Sequence, residues 1–466
     1  MRPSLLVPVA LADAFPFMTP PIQSLFPPFL VAISLSAASP RQPNLVVIMA
    51  DDFGYECVSA NGGESYSTPN LDRLAAGGMR FERCHVQPLC TPTRVQLMTG
   101  LSNARNYVEF GAMDRRAVTF AHRLKAAGYV TGVAGKWQLG SEPDSPRHFG
   151  FDEALLWHHR SRESRYGNPG FDLNGEPQSY PPGSYGPRIL NDFALDFVSR
   201  HRDRPFFLYY PLTLTHSPYQ PTPDSPKWDP RTGERGNQST AHFAAMVAYM
   251  DRMVGELVAR LERLGLRENT LLVFLGDNGT GVDITSRFKG EAYPGGKGRS
   301  HARGTHVPLI ASWPGRVPAG AVNGDLIGST DFLPTLLEAA GAPLPEGYAG
   351  DGVSFYPQLL GRKGNPREAL YAWYASDGGP EAKWEFAMSA RHKLYRDGRF
   401  FDLGADPWEQ RALNIAVLSG EAAAAARTLQ AELDRYAQAR PPELREERVT
   451  AKQAKRAEKE KRKKQP

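Results

Sequence analysis

Residues 44–52, NLVVIMADD, read as a buried strand that runs directly into two carboxylates. Leu45 to Ala50 leave no polar face, the mark of a strand covered on both sides, as in parallel sheets with helices above and below. The rest of the chain repeats the theme. Thr68 and Pro69 open a helix that stops at Gly77 and Gly78. A helical stretch over 117–127 closes at Gly128 and hands over to a strand at 129–134. Helices over 189–200 and 243–264 precede strands over 205–213 and 270–275, a strand follows at 306–312, and 325–340 gives a short strand and a helix. This alternation predicts an α/β fold, a mostly parallel sheet flanked by helices.

Composition sets the bounds. With 466 residues, 41% hydrophobic and 23% charged, the chain has material for a large globular core. Its formal charge of +5 resides in the tail: residues 451–466 carry a net +6, leaving −1 for the body. The body is therefore not a nucleic-acid binder by charge. Residues 29–35, FLVAISL, followed by small residues to Ser39, resemble an export signal within a leader over 1–39, so the mature protein is expected in the periplasm or secreted. No other stretch approaches a transmembrane length. Cys57, Cys84 and Cys90 are too few for a disulfide framework, although Cys57 and Cys84 can be drawn as a pair.

In open α/β sheets ligands bind beyond the carboxyl ends of the strands. Here four strands lead into Asp51 and Asp52, Gly135 and Lys136, Thr215 and His216, and Asp277 and Asn278. Each doublet alone also fits an ordinary turn. Taken together they describe one convergent site. Asp51, Asp52, Asp277 and Asn278 offer only oxygen donors, which suits Ca2+ and, less well, Mg2+. Three carboxylates in one place also call for a neutralising cation.

A second stretch, 88–100, PLCTPTRVQLMTG, has Thr91 as a helix cap, Pro92 as the first helical residue and Gly100 just past the end. Cys90 then sits ahead of a helix N-terminus, where negative charge is favoured, and Arg94 lies one turn in. A buried thiol beside a well-capped helix has the same features.

The run C-T-P-T-R followed by V-Q-L-M-T-G resembles the signature of type I, formylglycine-dependent sulfatases, arylsulfatase-like members of the alkaline-phosphatase-like superfamily. The resemblance implies that Cys90 is oxidised to formylglycine by a formylglycine-generating enzyme or its equivalent. The hydrate of that aldehyde would be the nucleophile, and its second hydroxyl would expel sulfate. It further implies metal binding by Asp51, Asp52, Asp277, Asn278 and the modified Cys90, and catalytic or sulfate-binding roles for Arg94, Lys136, His216 and Lys297. Two departures stand out. Gln138 occupies a position where many members have histidine, and Ala302 lies where an acidic residue is common. Glutamine can hydrogen-bond a substrate but cannot transfer a proton near neutral pH. Leaving-group protonation is then expected from His216, water or a displaced His301.

The remaining segments complete the expectation. Residues 157–166, WHHRSRESRY, mix aromatic and cationic groups suited to a sulfated sugar, with Trp157, Arg160 and Arg162 as contacts; they equally suit a solvated surface loop with one buried tryptophan. Short strands over 369–375, 385–390, 393–396 and 399–403, then a helix over 421–438, predict a smaller C-terminal antiparallel sheet plus helix. The expected organisation is a leader 1–39, a catalytic domain 44–361, a C-terminal subdomain 362–439 and a basic tail 440–466. The expected activity is sulfate-ester hydrolysis on an aryl sulfate or a sulfated carbohydrate, a sulfated polysaccharide included. The alternatives are a phosphodiesterase or phosphonate monoester hydrolase of the same fold, and a non-catalytic binder of sulfated glycans.

Overall fold

In the computed structural model, which describes residues 42–157, 164–231, 238–344, 348–379 and 381–444, Asn44–Ala50 forms β1 with every residue buried. The other strands of its ten-stranded sheet are β2 (Met79–His85), β3 (Val130–Lys136), β4 (Glu153–Trp157), β5 (Phe171–Leu173), β6 (Glu176–Gln178), β7 (Phe206–Pro211), β8 (Thr270–Gly276), β9 (His306–Ser312) and β10 (Ala321–Gly328). They lie in the order β10-β2-β9-β8-β1-β7-β3-β4-β5-β6. The centre, β8-β1-β7-β3-β4, is parallel throughout. On one side β9 runs antiparallel to both β8 and β2, and on the other β5 and β6 add an antiparallel hairpin.

The two-residue period of β1 divides the core. Leu45, Val47 and Met49 join helices Cys90–Thr99, Phe120–Ala126 and Phe332–Ala339 on one face. Val46, Ile48 and Ala50 join Pro69–Ala76, Gly186–Arg200 and Phe243–Arg263 on the other. Because both faces are covered, the strand needs no polar side, and each fully buried Leu, Val or Ile contributes about 1.5–3 kcal/mol.

A four-stranded antiparallel sheet follows, β11 (Leu370–Tyr374), β12 (Trp384–Met388), β13 (His392–Tyr395) and β14 (Phe400–Asp402), with helix Gly420–Arg435 against it. Its Trp373, Phe386, Leu429 and Leu433 belong to the same core as the first face of the large sheet. Asp351 fastens the two sheets polar-wise, accepting from the Ser102 amide at 2.7 Å, Arg105 Nε at 2.9 Å and Arg435 Nη2 at 3.2 Å.

Four expectations are corrected. The helix expected from Pro92 begins at Cys90, behind the extended Leu89; Thr91 is inside it and its hydroxyl accepts from the Gly111 amide at 3.2 Å. The helix expected from 117 begins at Phe120, because Thr119 forms a capping box with His122. Cys57 and Cys84 are both free and buried in the cores on opposite faces of the sheet, so they do not pair. The basic tail does not start at Arg440: that guanidinium is buried and donates to the Tyr107 carbonyl at 2.8 Å, and Leu444 is fully buried. The leader 1–39, Arg160, Arg162 and the tail from 445 lie outside the described residues.

Gly135 shows how tightly β3 approaches β7. Its φ is +132°, and a Cβ there would sit 1.8 Å from the Pro211 carbonyl oxygen. Gly135→Ala is expected to cost roughly 2 kcal/mol or more, read as a lowered midpoint in urea unfolding, and to displace Lys136 beside it.

Candidate active site

The parallel centre delivers its polar residues to one end of the sheet. Asp51 and Asp52 follow β1, Lys136 ends β3, and Asp277 and Asn278 follow β8. Backbone bonds lace these loops together: the Asp277 amide donates to the Ala50 carbonyl (2.9 Å), Phe53 to Asn278 (3.1 Å), Asp51 to Leu214 (2.8 Å) and Thr215 to Asp51 (2.7 Å). His216 is brought in by this last connection.

Asp51, Asp52, Asp277 and Asn278 are all 0–2% exposed. Lys136 Nζ donates to both oxygens of Asp51 at 2.9 and 2.7 Å, and Lys297 Nζ donates to Asp52 Oδ2 at 2.7 Å. Lys297 also donates to His216 Nε2 at 2.8 Å, while His216 Nδ1 faces the Ser217 carbonyl; the imidazole is therefore neutral with its proton on Nδ1. Burial, against the pull of Asp52 and Asp51, takes the His216 pKa down to about 4. The Asp52 amide donates to Asp277 Oδ1 at 3.0 Å, and Asn278 Nδ2 to Asp52 Oδ1 at 2.8 Å.

The helix carrying Cys90 is tied to the same cluster. One turn in, Arg94 donates through Nη2 to Asp277 Oδ2 at 2.9 Å and through Nη1 to the Lys136 carbonyl at 2.7 Å, with both ion-pair side chains fully buried. The Gly298 amide donates to the Pro88 carbonyl at 2.8 Å, joining the Lys297 loop to the turn before Cys90. Burial raises the Cys90 thiol pKa although Lys136 and Lys297 work against it, so the thiol is held protonated.

The carboxylates suit a divalent cation. Asp51, Asp52 and His216 present ligand atoms within 4.8 Å of one another. Asn278 Oδ1 is buried with no hydrogen-bond partner, an acceptor oriented for something other than protein. Burial opposes ionisation at Asp51, yet Lys136, His216, Arg94 and Lys297 hold its carboxyl well below the usual range. Burial and the charge of Asp51 push Asp277 the other way, up to about 7, despite Arg94. A cation would relieve that push.

Other expected residues fall differently. Gln138 adopts a left-handed φ of +54°, is 7% exposed, and its Oε1 has no partner. Asp52 is left-handed too, φ +58°. Backbone in this region persists where surroundings over-determine it. Trp157 is 4% exposed and covered by the Arg165 guanidinium at 3.9 Å, so its ring is no open platform for a sugar. His301 faces the small sheet, where burial lowers its pKa against the nearby Glu409 charge. Sequence reasoning passed over Arg165. Its guanidinium reaches to 3.9 Å from Asp51 Oδ2, and it lies in the aromatic and cationic segment whose earlier arginines had drawn attention.

Fold and site define a hydrolase built to hold a divalent cation and an anionic ester at the carboxyl end of an α/β sheet, of the alkaline-phosphatase-like kind. The chain belongs to the sulfatase family: the family's sequence profile, described as Sulfatase, matches residues 43–342, and one described as N-sulphoglucosamine sulphohydrolase, C-terminal, matches residues 297–438. Arylsulfatase A from Homo sapiens is 35% identical over 381 residues, covering 73% of this chain and 72% of that protein. N-acetylgalactosamine-6-sulfatase from Canis lupus familiaris is 32% identical over 379 residues, covering 73% and 71%. The structure of Ps i-CgsB in complex with k-i-k-neocarrahexaose superposes with a TM-score of 0.72 at 25% identity, covering 86% of this chain and 93% of that one.

Proposed function

We propose that the protein hydrolyses a sulfate ester of a carbohydrate, using formylglycine made from Cys90 and Ca2+ held by Asp51, Asp52, Asp277 and Asn278. The observation that carries this reading is the buried Arg94–Asp277 pair, which fastens the motif helix to the carboxylates at 2.9 Å. The hydrated aldehyde supplies one hydroxyl for attack on sulfur and another for release of sulfate, and the cation supplies polarisation of a sulfate oxygen. The protonated, buried thiol of Cys90 would be a poor nucleophile without that modification.

The chain's own groups divide the remaining work. Lys136 and Lys297 present fixed positive charge to the sulfate, and among buried groups such charges act strongly. Arg94 holds the first turn of the helix against Asp277. His216 borders the cluster with Nε2 accepting from Lys297 and its Nδ1 proton facing the Ser217 carbonyl, so it orients that ammonium toward the sulfate and has no proton of its own for the ester oxygen. Gln138 contributes hydrogen bonds and no proton. Support for a carbohydrate comes from the oligosaccharide in the complex named above and from the hexosamine sulfatase among the relatives. Maturation by a formylglycine-generating enzyme, and export with loss of residues 1–39, belong to the same proposal.

Mass analysis of the tryptic peptide 84–94 from protein made in a modifying host should show the mass drop of thiol-to-aldehyde conversion at Cys90. The same preparation should favour aryl sulfate over the matched aryl phosphate in steady-state kcat/KM. An intact thiol in enzyme that turns over would refute the nucleophile; a preference for phosphate would refute the ester class.

A further inference from the structure

We infer that Arg165 is a further catalytic residue: it carries the negative charge that builds on the departing ester oxygen, in a site where Gln138 has no proton to give. This rests on the sulfate-ester reading above.

Arg165 is held in place by several independent features. Its guanidinium stacks on Trp157 at 3.9 Å, and Trp157 lies opposite Lys136 in the β3–β4 register and accepts the Trp137 amide at 3.2 Å. The ring therefore sits beside the strand end that presents Lys136 and Gln138. The next residue, Tyr166, is fully buried and donates its hydroxyl to the carbonyls of Thr213, at 2.9 Å, and of His216. Gly186 packs so closely on the Arg165 carbonyl that a Cβ would lie 2.1 Å from it. The segment is thus fixed to the His216 loop, and the guanidinium, 9% exposed as a residue, comes to 3.9 Å from Asp51 Oδ2.

This cation is on the His216 side of the carboxylates: Trp157 and Tyr166, which fix it, pack in the core on the Gly186–Arg200 face of the sheet and Tyr166 bonds the His216 carbonyl, whereas Val95, Leu97 and Met98 of the Cys90 helix pack in the core on the opposite face. In a displacement at sulfur the entering and leaving oxygens lie on opposite sides, so Arg165 and His216 flank the leaving oxygen. As sulfur gains its new oxygen, the ester S–O bond breaks and its electron pair stays on the departing oxygen. The proton of the attacking hydroxyl goes to solvent, and the departing oxygen takes one from solvent. A guanidinium that stays charged at every working pH suits that interval.

The test uses the full, modified, Ca2+-loaded enzyme, Arg165→Met and Arg165→Lys, and a series of sulfate esters of rising leaving-group basicity. Arg165→Met should lose about tenfold in kcat/KM on 4-nitrophenyl sulfate and about a thousandfold on an unactivated alkyl sulfate, and Arg165→Lys should recover part of the second loss. In a Cys90→Ala background, calorimetric affinity for 4-nitrophenyl sulfate should be the same with and without Arg165→Met, and Ca2+ affinity should not change. A uniform loss across leaving groups, a loss in ester affinity that accounts for the kinetic loss, or weakened Ca2+ binding in its place would overturn the assignment. A wild-type enzyme that cleaves none of the esters would overturn the sulfatase reading with it, a result distinct from uniform losses in an active enzyme.

Discussion

Cys90→Ala is expected to lower kcat/KM on any sulfate ester by about 10^5-fold or more, the scale on which loss of a nucleophile acts. The fold should barely register it. Cys90 is the first residue of its helix and 1% exposed, and alanine is the best helix former in that position's place. The helix is anchored elsewhere: Thr93 Oγ1 donates to the Gln87 and Leu89 carbonyls at 3.1 Å each, Arg94 to Asp277 at 2.9 Å, and Gly100 closes the far end with φ +65°. Against the unmodified protein, loss of one sulfur from a packed interior costs about 1 kcal/mol, within reach of a urea titration. Ester affinity should persist, because Lys136, Lys297 and His216 are untouched. Retained turnover in the alanine variant would place the nucleophile elsewhere.

Much of this arrangement is legible in the sequence, and what is not has physical causes. β1 was legible to the residue because six apolar side chains in a row admit little else, and the strand-end rule then gathered Asp51, Lys136, His216 and Asp277 at one end of the sheet. β2, MRFERCH, was missed because its charged residues break the apolar run; it is partly exposed, with Glu82 and Arg83 outward. The direction of β9 was not available at all, since an apolar run reads the same parallel or antiparallel. The start of the Cys90 helix slipped by two residues because Thr91 carries the chemistry of a cap while its hydroxyl is committed to Gly111. Trp157 had two readings, a sugar platform or a buried ring, and its cover of Arg165 favours burial. Arg165 itself was illegible: its course toward Asp51 depends on Tyr166 bonding the Thr213 and His216 carbonyls and on Gly186 packing against its own carbonyl, contacts between segments far apart in sequence.

Asp277→Asn should affect stability and cation binding together. Its carboxylate accepts from the Asp52 amide at 3.0 Å and from Arg94 at 2.9 Å, with both ion-pair side chains at 0% exposure. Asparagine can still accept from the Asp52 amide, so the loop keeps its shape, but Arg94 loses its ion-pair partner while remaining buried. Breaking such a pair from one side costs about 3–5 kcal/mol. Removing both charges, as in Asp277→Asn with Arg94→Met, should recover much of that stability, since apolar replacement of a buried pair is often close to neutral. Activity should recover in neither. The cation gives the second reading: a ligand that binds only the native state at a hundredfold its Kd adds about 2.7 kcal/mol. Wild-type protein should therefore unfold at higher urea in Ca2+ than in chelator, and Asp277→Asn, whether or not Arg94 is also replaced, should show little of that gap. If the gap survives intact, Asp277 is a structural partner of Arg94 and the Asp52 amide only, and the metal rests on Asp51, Asp52, Asn278 and His216.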